Sequence, residues 1–137
     1  MKGQTMHHKH VLIADDDPFI QKTLKFSLEE AGYIVSLAQN GREAIECAEA
    51  LRPPVILLDV YMPDCDGIEA LLELKRRLPQ VRVFMMSGGG ATRRYDFLEV
   101  ATKFGAEGVI RKPLSVRALA EILSCETPRL NSPMSVC

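Results

Sequence analysis

The chain has 137 residues, 47% of them hydrophobic and 26% charged, an ordinary globular composition that fits one domain of middling size. A domain of this length buries roughly two thirds of its unfolded surface without help from disulfides or a structural metal, so collagen, extended disorder and a disulfide-stapled miniprotein are excluded. The 17 Lys plus Arg and 18 Asp plus Glu leave a net charge of -1, which gives no general electrostatic reason to bind nucleic acid or an anionic membrane. No apolar run reaches the roughly 18 to 20 residues that span a bilayer, and the start MKGQTMHHKH lacks the apolar core of a signal peptide, so a cytoplasmic location is expected. Cys47, Cys65, Cys125 and Cys137 lie far apart and form no CxxC pair, and are read as reduced thiols.

Short apolar runs recur along the chain at Val11 to Ala14, Tyr33 to Leu37, Val55 to Leu58, Val81 to Met86 and Gly108 to Ile110. They are too continuous for strands wetted on one face, which is how parallel strands covered on both sides read. Segments with helical spacing lie between and after them. Asp17 followed by Pro18 predicts an N-cap and a first helical proline; Ile20, Leu24, Leu28 and Ala31 form the stripe, and Gly32 closes the helix. Asn40 with Glu43, and Asp66 with Glu69, each place a capping side chain three residues before an acid that reaches back. The stripes behind them are Ala44, Ile45, Ala48 and Leu51, then Ile68, Leu71, Leu72 and Leu78. Thr92 and Ser115 cap two further helices, with inward faces carrying Phe97, Leu98, Ala101 and Phe104, then Leu119, Ile122 and Leu123. Five strand–helix repeats imply right-handed crossovers and an open, doubly wound parallel α/β sheet. The first eight residues and residues 126–137 read as flexible ends, so one domain covers residues 9–125.

In open α/β sheets functional groups gather at the carboxyl ends of strands, near the point where the winding reverses. Asp15, Asp16 and Asp17 follow strand one, Asp59 follows strand three, Ser87 and three glycines follow strand four, and Arg111, Lys112 and Pro113 follow strand five. Carboxylates converging on one rim repel one another unless a cation neutralises them. Oxygen ligands from Asp15 or Asp16 and Asp59, with a backbone carbonyl and water, suit magnesium better than zinc. In that geometry Asp59, ending a buried strand, is the best nucleophile toward a phosphorus atom. Asp15 and Asp16 would hold magnesium, Lys112 would pair with Asp59 and then with phosphoryl oxygens, and the Ser87 hydroxyl would donate to one of those oxygens. Gly88 leaves room for a donor or water. Each of these residues alone reads as something plainer: an acidic triplet is a solvated cap, Lys112 a surface lysine, Ser87 a turn residue, and Asp17 remains a helix cap in either reading. The glycine triplet lacks the spacing of a nucleotide-binding loop. His7, His8 and His10 read as a stray imidazole cluster ahead of the first strand, Cys65 as a loop thiol, and Phe84, Met85 and Met86 as core strand.

The strings VLIADDDP, LLDVYMPDCDG, MMSG and RKP, in this order and each at a strand end, resemble the receiver domain of two-component response regulators over roughly residues 9 to 125. The resemblance implies a flavodoxin-like five-stranded sheet of order 2-1-3-4-5 with five helices, and magnesium-dependent acceptance of a phosphoryl group from a phosphohistidine on a histidine kinase or histidine phosphotransfer protein. It assigns Asp15 and Asp16 to the acidic pair, Asp59 to the phospho-acceptor, Ser87 to the switch hydroxyl, Lys112 to the essential lysine and the Tyr61 carbonyl to the remaining metal ligand. It also implies a cis bond between Lys112 and Pro113. Output would pass through the face formed by helix four, strand five and helix five to a further protein, because no DNA-binding or catalytic output segment follows residue 125.

Two departures from the family's pattern stand out. Val109 occupies the place, three residues before the lysine, where the family usually has an aromatic; this calls into question coupling through an aromatic rotamer and leaves the Ser87 movement. The stretch from Ser87 to Lys112 is some three residues longer than in compact receivers and opens with Gly88-Gly89-Gly90, so a mobile loop and an atypical fourth helix are expected. Two other classes compete: a receiver-shaped docking module that works without phosphorylation, and an aspartyl-phosphate phosphatase. The second lacks the Asp usually found two residues after the nucleophile, where Tyr61 stands, and the cap domain that such enzymes need.

Overall fold

The computed structural model describes residues 9–60, 67–87, 101–111 and 116–124. In chain order these form β1 (His10–Ala14), α1 (Pro18–Glu30), β2 (Ile34–Ala38), α2 (Gly41–Leu51), β3 (Val55–Asp59), α3 (Gly67–Arg77), β4 (Arg82–Ser87), the helical residues 101–103 (α4), β5 (Gly108–Arg111) and α5 (Val116–Ser124). All strand pairs are parallel, and the sheet order is β2-β1-β3-β4-β5. The doubly wound α/β architecture and strand order expected from the sequence are therefore those of the folded chain.

Side-chain alternation divides the interior into two layers. Leu12, Ala14, Ile56, Leu58, Val83 and Met85 face α2 and α3, where Ala44, Ala48, Leu71 and Leu74 meet them. Val11, Ile13, Leu57, Phe84 and Met86 face the opposite way, onto Leu24 and Leu28 of α1 and Leu119 and Leu123 of α5. Every residue of β3 is buried, as expected for the middle strand of a sheet covered on both faces.

Local signals set the helix ends. Asp17 Oδ1 accepts from Phe19 N–H at 2.9 Å with Pro18 in the first turn, and Asn40 Oδ1 accepts from Glu43 N–H at 2.8 Å. Glu43 reaches back one residue further than a standard capping box, accepting from Gln39 N–H at 2.9 Å. Gly32, at φ +98°, turns the chain out of α1 in a conformation that suits glycine. At the end of α2 the same left-handed turn falls on Arg52, at φ 51°, a conformation that costs a non-glycine residue roughly 1–2 kcal/mol; Pro53 follows and prevents the helix from continuing.

Four stripe positions behave differently from expectation. Ala31 is the exposed cap of α1, and Leu51, the last residue of α2, has turned off the buried face. Leu72 is exposed because the inward set of α3 is Gly67, Ala70, Leu71 and Leu74, which leaves its neighbour about 100° round the helix. Phe104 is exposed because its N–H already closes a turn onto Ala101 O at 3.1 Å, beyond the end of α4. His10 is the first residue of β1, not ahead of it, and its Nε2 hydrogen bonds Ser36 Oγ on β2 at 2.8 Å. The expected caps Asp66, Thr92 and Ser115, and Phe97 and Leu98, lie outside the described residues.

Gly67 fits where no other residue does. Its N–H donates to Val60 O at 3.1 Å, and a Cβ there would stand 2.6 Å from Val60 O and 2.9 Å from Asp59 O. These are backbone atoms of the β3 end and cannot rotate aside. Gly67→Ala should therefore lower stability by about 1–3 kcal/mol despite alanine's better helix propensity of about 1 kcal/mol, a loss that urea unfolding would measure. Cys47 on α2 is a free, partly buried thiol whose pKa is pushed up by burial and then by Glu43 and Glu46. Because the thiolate is the nucleophile, iodoacetamide at pH 8 should modify Cys47 more slowly in the folded chain than in urea, as peptide mass spectrometry would read.

Candidate functional site

The sheet's winding reverses at β1, which has β2 on one side and β3 on the other. The register Ala14↔Leu58 carries both strands to the same level, so the next residues, Asp15 and Asp59, stand side by side at their carboxyl ends. Asp15, Asp16 and Asp59 can each place a carboxylate oxygen within 4.8 Å of the others. Asp15 is 0% exposed and Asp59 4%, while Asp16 lies open to solvent. Among the described residues, no histidine or cysteine joins this cluster.

Hydrogen bonds fix the approach of both strands. Asp15 N–H donates to Ala38 O at 3.1 Å, and Asp15 Oδ1 accepts from Asp17 N–H at 2.9 Å. On the other side Val60 N–H donates to Met86 O at 3.0 Å, which keeps β3 paired with β4 one residue past Asp59. Ser87, buried at the last position of β4, is the neighbour of Met86, the register partner of Asp59, and itself pairs with Arg111 on β5. Asp15, Asp16, Asp59 and Ser87 thus share one rim. Asp17 is the α1 cap, as expected. Lys112, the Tyr61 carbonyl, the Lys112–Pro113 bond, Cys65 and Gly88 to Gly90 lie outside the described residues. Val109 on β5 is partly buried against the α2–α3 layer.

One polar residue at this rim belongs to no motif in the sequence. Gln21 of α1 is 5% exposed, and its side-chain amide donates to Ala38 O at 2.7 Å. The available signal is its spacing: position 21 lies three residues before Leu24 and seven before Leu28, on the buried stripe, where an uncharged polar residue needs an internal partner.

The donor set is oxygen only, two buried strand-end carboxylates and a third open to water, which fits a hard divalent cation and does not fit a soft one. Two unit charges 4.8 Å apart repel by about 3 kcal/mol at an effective dielectric constant near 20, and the exposure of Asp16 reduces its share. With EDTA present, Asp16→Asn should therefore be more stable than the wild type by about 1 kcal/mol, and added magnesium should narrow that gap; paired urea titrations would measure both.

Comparison with known proteins agrees with this geometry. The sequence pattern of the response regulator receiver domain matches residues 11–124. The chemotaxis protein CheY of Thermotoga maritima is 34% identical over 117 residues, covering 85% of this chain and 95% of that protein. A CheY-like response regulator receiver domain protein from Methanospirillum hungatei superposes with a TM-score of 0.77 at 29% identity, covering 85% of this chain and 90% of that one. A response regulator from Burkholderia pseudomallei, whose crystal structure holds a phosphorylated aspartic acid, a calcium ion and citrate, superposes with a TM-score of 0.76 at 28% identity over 84% of this chain and 66% of that one. With its parallel sheet, strand-end acidic cluster and matched sequence pattern, the chain belongs to the response regulator receiver domain family.

Proposed function

We propose that this protein is a phosphorylation switch: a receiver, working through residues 9–125, that accepts a phosphoryl group on Asp59 and changes its binding to another protein. The observation that carries this reading is the convergence of Asp15, Asp16 and Asp59 within 4.8 Å at the carboxyl ends of neighbouring strands. The calcium ion and phosphorylated aspartic acid in the Burkholderia pseudomallei relative support it.

Asp15 and Asp16, with Asp59 and the Tyr61 carbonyl, would hold the cation, for which magnesium is the choice that oxygen ligands and bound water favour. Magnesium, when bound, supplies positive charge that offsets the crowded carboxylates and the incoming phosphoryl oxygens. The rigid placement of Asp59 at a buried strand end lets its carboxylate oxygen attack phosphorus in line. A new O–P bond forms as the P–N bond to the donor histidine breaks, and the electron pair of that bond leaves with the imidazole. Lys112 would pair with the transferred oxygens, and the Ser87 hydroxyl would donate to one of them, drawing the end of β4 toward Asp59.

The donor is a histidine kinase or a histidine phosphotransfer protein, and the recipient of the signal is a protein that reads the α4–β5–α5 face. Val109 on β5 offers no aromatic rotamer, so the Ser87 movement carries the change to that face. Catalysis is confined to the chain's own phosphorylation and dephosphorylation. No helix among the described residues is long and apolar enough to cross a membrane.

Treatment with acetyl phosphate and magnesium should add one phosphoryl group to the wild type, by intact mass, and none to Asp59→Asn or to the wild type in EDTA. An unchanged wild-type mass, or an equal gain in Asp59→Asn, would reject the assignment. Partner binding indifferent to Asp59→Ala and to magnesium would instead favour a docking module, and turnover of a small phosphate ester would favour a phosphatase.

A further inference from the structure

We infer that Gln21, a residue of α1 outside the acidic cluster, positions the Asp15–Asp17 turn for cation binding; the inference rests on reading that cluster as a cation site. Gln21 Nε2 donates to Ala38 O at 2.7 Å, and the same carbonyl accepts from Asp15 N–H at 3.1 Å. Gln21 N–H donates to Asp17 O at 3.0 Å, and Asp17 N–H donates to Asp15 Oδ1 at 2.9 Å. These four bonds close a ring through Asp15, Asp17, Gln21 and Ala38. The ring grips Asp15 by its main chain and by its carboxylate, so both the position and the rotation of that side chain are set.

Gln21 is the link between α1 and β2 in this ring. The β1–β2 ladder ends at Ala14↔Ala38, so the Ala38 carbonyl sits at the last paired level of an edge strand. A second donor there holds the strand end to the helix that opens directly after Asp16 and Asp17. A hydrophobic side chain of similar volume would fill the space as well, yet would leave that end anchored only by Asp15 N–H. Because the amide is 5% exposed, it has no access to water that would let it exchange partners freely. The geometry of an oxygen ligand depends on such outer bonds, and losing one commonly weakens metal affinity by about tenfold or more.

The test compares magnesium affinity in the wild type and in Gln21→Met, which keeps the volume and loses the donor without adding charge. Magnesium chloride is titrated while backbone amide NMR shifts are followed, at a temperature where each protein is folded. The Met variant should bind about tenfold more weakly, with the largest shift differences at Asp15 to Asp17. Equal affinity in the wild type and the Met variant would overturn the inference while leaving the cation site intact. A wild type that takes up no magnesium would overturn the cation-site reading, and the role of Gln21 with it. Should the Met variant fail to fold, Gln21→Asn, one methylene too short to reach Ala38, takes its place; loss of folding there too would make Gln21 a packing residue and overturn the inference.

Discussion

Mutual repulsion among carboxylates, gathered where the sheet reverses its winding, is the constraint on which the rest of the molecule depends. Asp15 and Asp59 are buried, and an ion taken out of water costs several kcal/mol unless it finds a partner. The scaffold meets part of that cost with the Asp17 N–H and leaves the cluster open through Asp16, which faces water. Three oxygen ligands gathered in this way are the kind of donor set that a hard divalent cation would neutralise. In the proposed switch, reactivity and the change of shape would both draw on this one electrostatic arrangement.

The scaffold is stiff where that arrangement needs it to be. β3 is buried throughout, Val60 stays bonded to β4 beyond Asp59, and Gly67 lets the start of α3 press against the same strand end. α1 is tied to the opposite flank through Gln21 and Ala38. The acidic rim is thus held from α1, from β4 and from α3.

Much of this is legible from residue order, and the reasons differ from residue to residue. The strands of a sheet covered on both faces announce themselves as continuous apolar runs, and Asp15, Asp59 and Ser87 reveal themselves as the first polar residues after those runs. Caps at Asp17 and Asn40 are local chemistry, readable from adjacent residues. Leu72 and Phe104 are misplaced by pattern alone because an apolar side chain one position off the buried face, or one residue past a helix end, is indistinguishable in sequence from its buried neighbours. Arg52 in a left-handed turn is invisible, since nothing about arginine signals that conformation. Gln21 escapes notice for a further reason: its partner, the Ala38 carbonyl, is a backbone atom 17 residues away, and side-chain patterns do not reveal where a main-chain acceptor ends up.

The separation of the interior into two layers has a consequence for how such a chain changes over time. Ile56 and Leu58 belong wholly to one side of the sheet and Val55 and Leu57 to the other, so a volume altered on one side is compensated, if at all, by residues of that same side. The two halves of the interior are free to diverge at unequal tempos.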